Sequence, residues 1–327
     1  MKLLVFEYSS VILDNNLLSE GFNMLKSMLD DLNKINYFDV YYLINSSMHL
    51  DYEHLTPIYI KENFTEWLNE NISSFDYAFF VAPEEDLIQY NITKILEEND
   101  VTVLGCDSNA SYICSSKDLT YKKIPDDILK IKSIKVNTDY AKYEIIPENI
   151  NKNTCIIKPD DKTSSDFIYL CHNREEFDKI IKIYKKNSIK KILIQEFIDG
   201  IPISASILCK EDYVKCISIN LQQIKIDNDK LEFVGCESPI QHPQKKKIET
   251  ISKKIIHSIP GLNAFVGIDY IIQDDKIFFV EINSRITTPY IILQKNCNQN
   301  LTENIINLLI HDKIEEINFK KSGKFIK

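Results

Sequence analysis

Two apolar runs late in the chain, NAFVGIDYII at 263–272 and KIFFVEIN at 276–283, are separated only by Gln273, Asp274 and Asp275. Runs rich in β-branched and aromatic residues on either side of so short a polar turn predict an antiparallel hairpin. Alternation puts Glu281 and Asn283, two residues apart, on one side of their strand. Pairing about the turn brings Asp269 opposite or next to Glu281. Two carboxylates and an amide oxygen then share a face flanked by apolar residues. Carboxylates in such a setting need a cation or donors to be tolerated. This set of hard oxygens suits magnesium or manganese, because magnesium is held by one or two carboxylates together with substrate phosphates. The competing reading is a polar outer face on a half-exposed hairpin.

The first 105 residues have another rhythm. Apolar runs at 2–6, 38–44, 75–83 and 101–104 alternate with helical spacing at 17–32 and 61–72 and with a helix opened by Glu84, Glu85 and Asp86. This β-α-β-α-β order predicts an open, mostly parallel sheet. Beyond it, helices are expected near 108–123, 173–186, 244–258, 289–295 and 301–311. Strands are expected at 131–136, 154–158 and 166–170 and almost continuously from 191 to 236. The fold class is therefore α/β followed by α+β with antiparallel sheets. The tail KKSGKFIK reads as a free, soluble end.

A length of 327 residues implies two or three packed units. The net charge is −9, and lysines cluster only in short runs such as Lys245–Lys247, which argues against a nucleic-acid surface. No apolar stretch approaches the roughly 18 residues of a membrane span. MKLLVFEYSS reads as a first strand rather than a signal peptide, so a cytoplasmic location without membrane partners is expected. The eight cysteines show no C-x-x-C spacing and are expected to be buried, reduced thiols. Arg174 and Arg285 are the only arginines among 39 basic residues. An arginine kept in so lysine-rich a chain points to a need for its planar fork.

Asp269 followed by Glu281-Ile282-Asn283-x-Arg285 resembles the metal-binding end of the ATP-grasp ligases. Other pieces of that family occur in its order: Lys117 in SSKDLTYK, Lys158 in CIIKPD and the segment Gln195-Glu196-Phe197-Ile198. The resemblance implies a Rossmann-like pre-ATP-grasp domain at 1–105 and a two-lobed ATP-grasp domain, with lobes at 106–194 and 195–327. It also implies ATP and magnesium (or manganese) as cofactors. Lys117 and Lys158 would hold phosphates, and 195–198 would read the adenine. Asp269, Glu281 and Asn283 would hold metal, and Arg285 would meet the γ-phosphate or a substrate carboxylate. Two departures stand out. The phosphate-covering loop at 160–166 has no glycine, so Lys162, Thr163 and Ser164 are expected to point inward from a lid, Lys162 as a catalytic group. The position where relatives carry a ribose-binding acid is Ile203, leaving Asp199 or Ser204 for that role.

The segments FEYSS, LLSEGFNMLKSMLDDL, DYAFFVAPEEDL and EINSRITTPY resemble a narrower group, the tyramine–glutamate ligases of methanofuran biosynthesis. In place of the usual proline of the EINPR-type motif stands Ser284. The implied reaction joins the γ-carboxylate of L-glutamate to tyramine through an acyl phosphate, releasing ADP and phosphate. Glu7 and Glu20 are candidates for the α-ammonium of glutamate, against a reading as surface or capping acids. Another amino-acid or dipeptide ligase, or a nucleotide-binding module without catalysis, are the alternatives.

Overall fold

The computed structural model describes residues 1–14, 16–61, 63–151, 154–163 and 167–327. Strands β1 (Lys2–Glu7), β2 (Asp39–Asn45), β3 (Thr56–Ile60), β4 (Tyr77–Val81) and β5 (Thr102–Val103) form a wholly parallel sheet in the order β3-β2-β1-β4-β5. Helices α1 (Tyr8–Ile12), α2 (Leu18–Leu32), α3 (Phe64–Asn71) and α4 (Ile88–Glu98) connect its strands. Leu3 to Phe6 of the central strand are all buried, as expected where a parallel strand is covered on both faces. Leu3 and Val5 join the core beneath α2, and Leu4 and Phe6 the core beneath α3 and α4. β3 is not announced by the pattern, because Pro57 disguises it; an edge strand tolerates that proline. Strand order reverses between β1 and β4, so a crevice opens at their carboxyl ends. Glu7, Val81 and Pro83 stand there.

The region expected as one helix at 108–123 is two, α5 (Ser108–Cys114) and α6 (Lys117–Lys123), with Ser116 capping the second. A second sheet then takes up β6 (Ser133–Asn137), β7 (Cys155–Pro159), β8 (Tyr169–Cys171), β9 (Lys191–Glu196), β10 (Ile201–Lys210), β11 (Tyr213–Asp227), β12 (Lys230–Ser238), β13 (Ala264–Gln273) and β14 (Lys276–Asn283). The order is β14-β13-β10-β11-β12-β8-β7-β9-β6, with antiparallel pairings. The helices α7 (Arg174–Lys186), α8 (Lys245–Ser258), α9 (Pro289–Asn296) and α10 (Leu301–His311) complete the fold. Buried Asp31 of α2 binds the last two of these, accepting from Gln294 Nε2 at 2.8 Å and from Thr302 N and Oγ1 at 3.1 Å. The C-terminal helices thus share a core with the first sheet.

Units at 1–105, 106–194 and 195–327 remain a proposal. Their second limit falls inside β9, whose partners are β6 and β7, so the turn after Glu196 is the better physical boundary. All eight cysteines are free thiols, and all but Cys216 are buried.

The expectation of a free tail is corrected. Residues Gly323–Ile326 form β15, antiparallel to β12, with Phe325 packed against the core. Space for this strand depends on Gly235. A Cβ there would lie 2.2 Å from the Phe325 carbonyl oxygen, and its φ is 153°. Gly235→Ala is therefore expected to lower stability by about 1–3 kcal/mol, measured as an earlier midpoint in urea unfolding. An unchanged midpoint would mean that β15 adds nothing.

Candidate active site

One cleft collects side chains from both sheets. It holds about 1510 Å³ of empty space including its open mouth, room for a nucleotide and small substrates together. The β13–β14 hairpin forms one wall. Its turn bends at Asp274, whose φ of 52° suits a short polar residue. The register pairs Asp269 with Glu281 and Gly267 with Asn283, so the three predicted metal ligands meet in the cleft. Asn283 Nδ2 donates to Asp269 Oδ2 at 3.4 Å, and Gln222 Nε2 of β11 donates to Oδ1 at 3.0 Å. Burial, then the charge of Glu281 opposite, pushes the Asp269 carboxyl up. Burial would also raise Glu281, but the ammonium groups of Lys117 and Lys158 hold it below the ordinary range. Two half-buried like charges with an amide beside them, one already resisting ionisation, fit a divalent cation. Among the described residues no group of three or more His, Cys, Asp or Glu side chains forms a metal cluster, so substrate phosphates would have to complete the coordination.

The two lysines reach the pair from different elements. Lys158, on β7, is only 4% exposed, and burial pushes its ammonium down to about 8. Lys117 Nζ lies 3.4 Å from Glu281 Oε2 and donates to the Lys162 carbonyl at 2.7 Å. Asp160 ties their elements together. Its carboxylate accepts from Asp118 N at 2.9 Å and Ser116 Oγ at 2.8 Å, and pairs with Lys135 at 2.6 Å. Asp160 is therefore a buried anchor and not part of a loose lid, which corrects the expectation for that end of 160–166.

The expected inward turn of Lys162 is also corrected. Its Nζ pairs with Asp86 at 2.8 Å, while Thr163 N and Oγ1 both donate to Glu85 Oε2 at 3.3 Å. Thr163 does border the cleft. The acids read as a helix start instead form a turn, with Asp86 and Leu87 at positive φ, that presents carboxylates to this loop. Ser164 lies outside the described residues.

β7 and β9 are hydrogen-bonded neighbours, Ile156 beside Gln195, so no ligand can lie between them. Instead they share a face: Cys155 and Ile157 point into the core of the lobe, and Ile156, Lys158 and Gln195 line the cleft. Gln195 Nε2 donates to the Tyr121 hydroxyl at 2.9 Å, which donates to the Phe279 carbonyl at 3.2 Å. Glu196 pairs with Lys132 at 3.6 Å, and it, Phe197, Ile198 and Asp199 continue past the cavity wall. Ser204, the cross-strand partner of Asp269, lines the cavity, as do Pro202, Ile271 and Val280 opposite β7.

Arg285 is held by a residue that sequence reasoning used only for its charge. Buried Glu84 accepts from Arg285 Nε at 2.9 Å and from Ser284 N at 3.0 Å. Gln89 donates to the Ser284 carbonyl at 2.6 Å and accepts from its hydroxyl at 2.9 Å. A proline at 284 would lack both the amide proton and the hydroxyl. Neither Glu84 nor Gln89 was legible as a site residue, because their partners are about two hundred positions away. Glu7 and Glu20 border the same cleft. Glu7 is buried and caps α1, accepting from the amides and hydroxyls of Ser9 and Ser10 at 2.7–3.0 Å. Glu20 accepts from the Thr288 hydroxyl.

Comparison with known proteins agrees with this geometry. Residues 114–289 match the model of the ATP-grasp domain. A tyramine–L-glutamate ligase from Methanocaldococcus jannaschii is 33% identical, over 98% of this chain and 92% of that one. Among solved structures, an ATP-grasp superfamily protein from Archaeoglobus fulgidus superposes with a TM-score of 0.74 at 21% identity, covering 99% of this chain and 91% of the other. A D-alanine–D-alanine ligase from Bacillus anthracis, complexed with ATP, gives 0.62 at 14% identity, over 87% and 86%. The match spans more than half of the chain, and the chain belongs to the ATP-grasp family.

Proposed function

We propose that the protein joins the γ-carboxylate of L-glutamate to the amine of tyramine at the expense of ATP, in the cytoplasm. The observation that carries the reaction type is the facing Asp269–Glu281 pair with Lys158 and Arg285 in one cleft and Lys117 reaching Glu281 from its edge. The choice of substrates rests on the name of the methanocaldococcal relative. Residues 1–105 would serve as the Rossmann-like pre-ATP-grasp unit.

A carboxylate is a poor acyl donor, because its leaving group would be oxide. Transfer of the γ-phosphoryl group to it gives an acyl phosphate, whose carbonyl carbon the amine then attacks as phosphate leaves. This chain's part is positioning and charge. Lys117 and Lys158 would hold phosphate oxygens. Ile156, Gln195 and Val280 would border the base, with 196–199 at the rim in contact with its edge and the ribose. Asp269, Glu281 and Asn283 would hold magnesium or manganese, which when bound neutralises charge on the β- and γ-phosphates. Arg285, steadied by Glu84, would face a carboxylate of the amino-acid substrate.

An ADP-release assay over amino acids and amines tests this reading. Release is expected to need both L-glutamate and tyramine; release with two amino acids would favour a dipeptide ligase, and none at all a binding module. Asp269→Asn and Glu281→Gln are expected to lower kcat roughly 100-fold or more, since metal charge stabilisation is worth several kcal/mol, with unchanged circular dichroism. Wild-type rates in both would remove the hairpin from the site.

Lys158 gives a pH signature. Its ammonium is charged below about 8 and neutral above. ATP affinity should therefore weaken as pH rises past that value, by up to roughly tenfold per unit, and binding there should take up a proton by calorimetry. Lys158→Arg should flatten the profile. An unchanged slope in that variant would assign the titration elsewhere.

A further inference from the structure

Three carboxylates stand on the first-sheet side of the site, Glu7 and Glu20 lining the cleft and Glu84 a small cavity beside it, and they are not equivalent. Glu7 is 4% exposed and occupied by the amides and hydroxyls of Ser9 and Ser10. Gly21 lies so close that a Cβ there would sit 2.3 Å from Glu7 Oε2. Glu84 is equally buried and divided between Ser284 N and Arg285 Nε. Glu20 differs. It is partly exposed on the first turn of α2, and Thr288 steadies its Oε1 from the segment that follows Arg285. Among the described residues, Glu20 Oε2 has no protein partner.

Arg285 has a matching surplus. Its Nε is taken by Glu84 and its Nη1 by the Ile286 carbonyl at 3.2 Å, while Nη2 has no partner among the described residues. The guanidinium borders the same cavity as Glu20, Asp269 and Glu281, and its charge is felt by Asp269 and Glu281 as well as by Glu20 and Glu7. Arg285 is therefore within electrostatic reach of both the Asp269–Glu281 pair and Glu20.

Resting on the proposed function, we infer that Glu20, oriented by Thr288, together with the free edge of Arg285, forms the subsite for the zwitterionic end of the amino-acid substrate. Glu20 receives the α-ammonium, Arg285 the α-carboxylate, and the side-chain carboxylate is left to reach toward Lys158 and the Asp269–Glu281 pair. A fixed anion and a fixed cation bordering one cavity reward a ligand that carries both charges. A bare ammonium gains from Glu20 but is repelled by Arg285, and the attacking amine must in any case be neutral. The two charges therefore select the amino acid over the amine at this end of the cleft. Glu7, with its oxygens already bonded, is left as a structural cap.

Steady-state ADP release with L-glutamate and with glutarate, which lacks only the ammonium, tests the subsite. The wild type should prefer L-glutamate. Glu20→Gln should raise the KM for L-glutamate roughly 10- to 100-fold, the worth of one charged hydrogen bond. It should leave the KM values for ATP and tyramine within about twofold, and narrow the preference over glutarate toward unity. Thr288→Val, which removes only the orienting hydroxyl, should shift the same KM in the same direction by less, and it decides the matter if Glu20→Gln does not fold. A raised tyramine KM, or an undiminished preference for L-glutamate over glutarate, overturns the assignment. If another amino acid supports turnover instead, the substrate reading fails, while the same comparison with that amino acid and its deamino analogue still decides the subsite. If no amino acid supports turnover, the subsite assignment falls as well.

Discussion

Two carboxylates facing each other inside a folded protein repel, and the rest of this site is arranged around that repulsion. Asp269 and Glu281 are held opposite by the register of a hairpin, so neither can swing away without breaking strand pairing. Water cannot screen them well, and each charge needs a partner. Glu281 has two lysines; Asp269 is hydrogen-bonded by neutral amides, from Gln222 and Asn283, and feels the cation of Arg285 only as a smaller effect. The asymmetry leaves Asp269 reluctant to ionise until a further cation arrives. A metal–nucleotide complex held by these residues would supply that cation and offer negative phosphate oxygens to the lysines, meeting the charge need of both carboxylates and lysines.

Holding this pair in register with its lysines requires the two sheets to be fixed to each other. Asp160 joins the start of α6 to the end of β7 and so sets Lys117 beside Lys158. Glu84 and Gln89, from the first sheet's turn and α4, grip the backbone and side chain of Ser284 and the guanidinium of Arg285. Asp31 does the same for α9 and α10. These are all buried contacts between groups far apart in sequence. Each leaves an orphaned polar group if its partner is removed, which costs more than the bond itself contributes.

The hairpin, the shared face of Asp269, Glu281 and Asn283 and the parallel first sheet were legible in the sequence because their signals are local. Alternation in FVGIDYII and FFVEIN fixes faces, and the Asp274–Asp275 turn fixes register. Lys117, Lys158 and Gln195 were reached through motif order, and the structure brings all three to the same cleft or its edge. What escaped was carried by long-range pairing. Glu84 looks like any acid at a helix start, Gln89 and Gln222 like any surface glutamine, and Tyr121 like a core aromatic. The tail escaped for a similar reason: a four-residue strand has too little periodicity to be read, and its place depends on a glycine some ninety residues earlier. Lys162 was misread because lone cations near a phosphate loop suggest phosphate, whereas Asp86 offers the same attraction from outside the motif.

Lys117 joins two elements of the site. Its Nζ is shared between the Glu281 carboxylate and the Lys162 carbonyl, so one ammonium ties β14 to the segment after Asp160. Lys162 and Thr163 are in turn fastened to Asp86 and Glu85 beside the Glu84–Arg285 pair. The turn that carries these acids also holds Arg285 through Glu84. Residues 84–86 thus join two parts of the site: Glu84 holds Ser284 and Arg285, while Glu85 and Asp86 hold the adjacent Thr163 and Lys162.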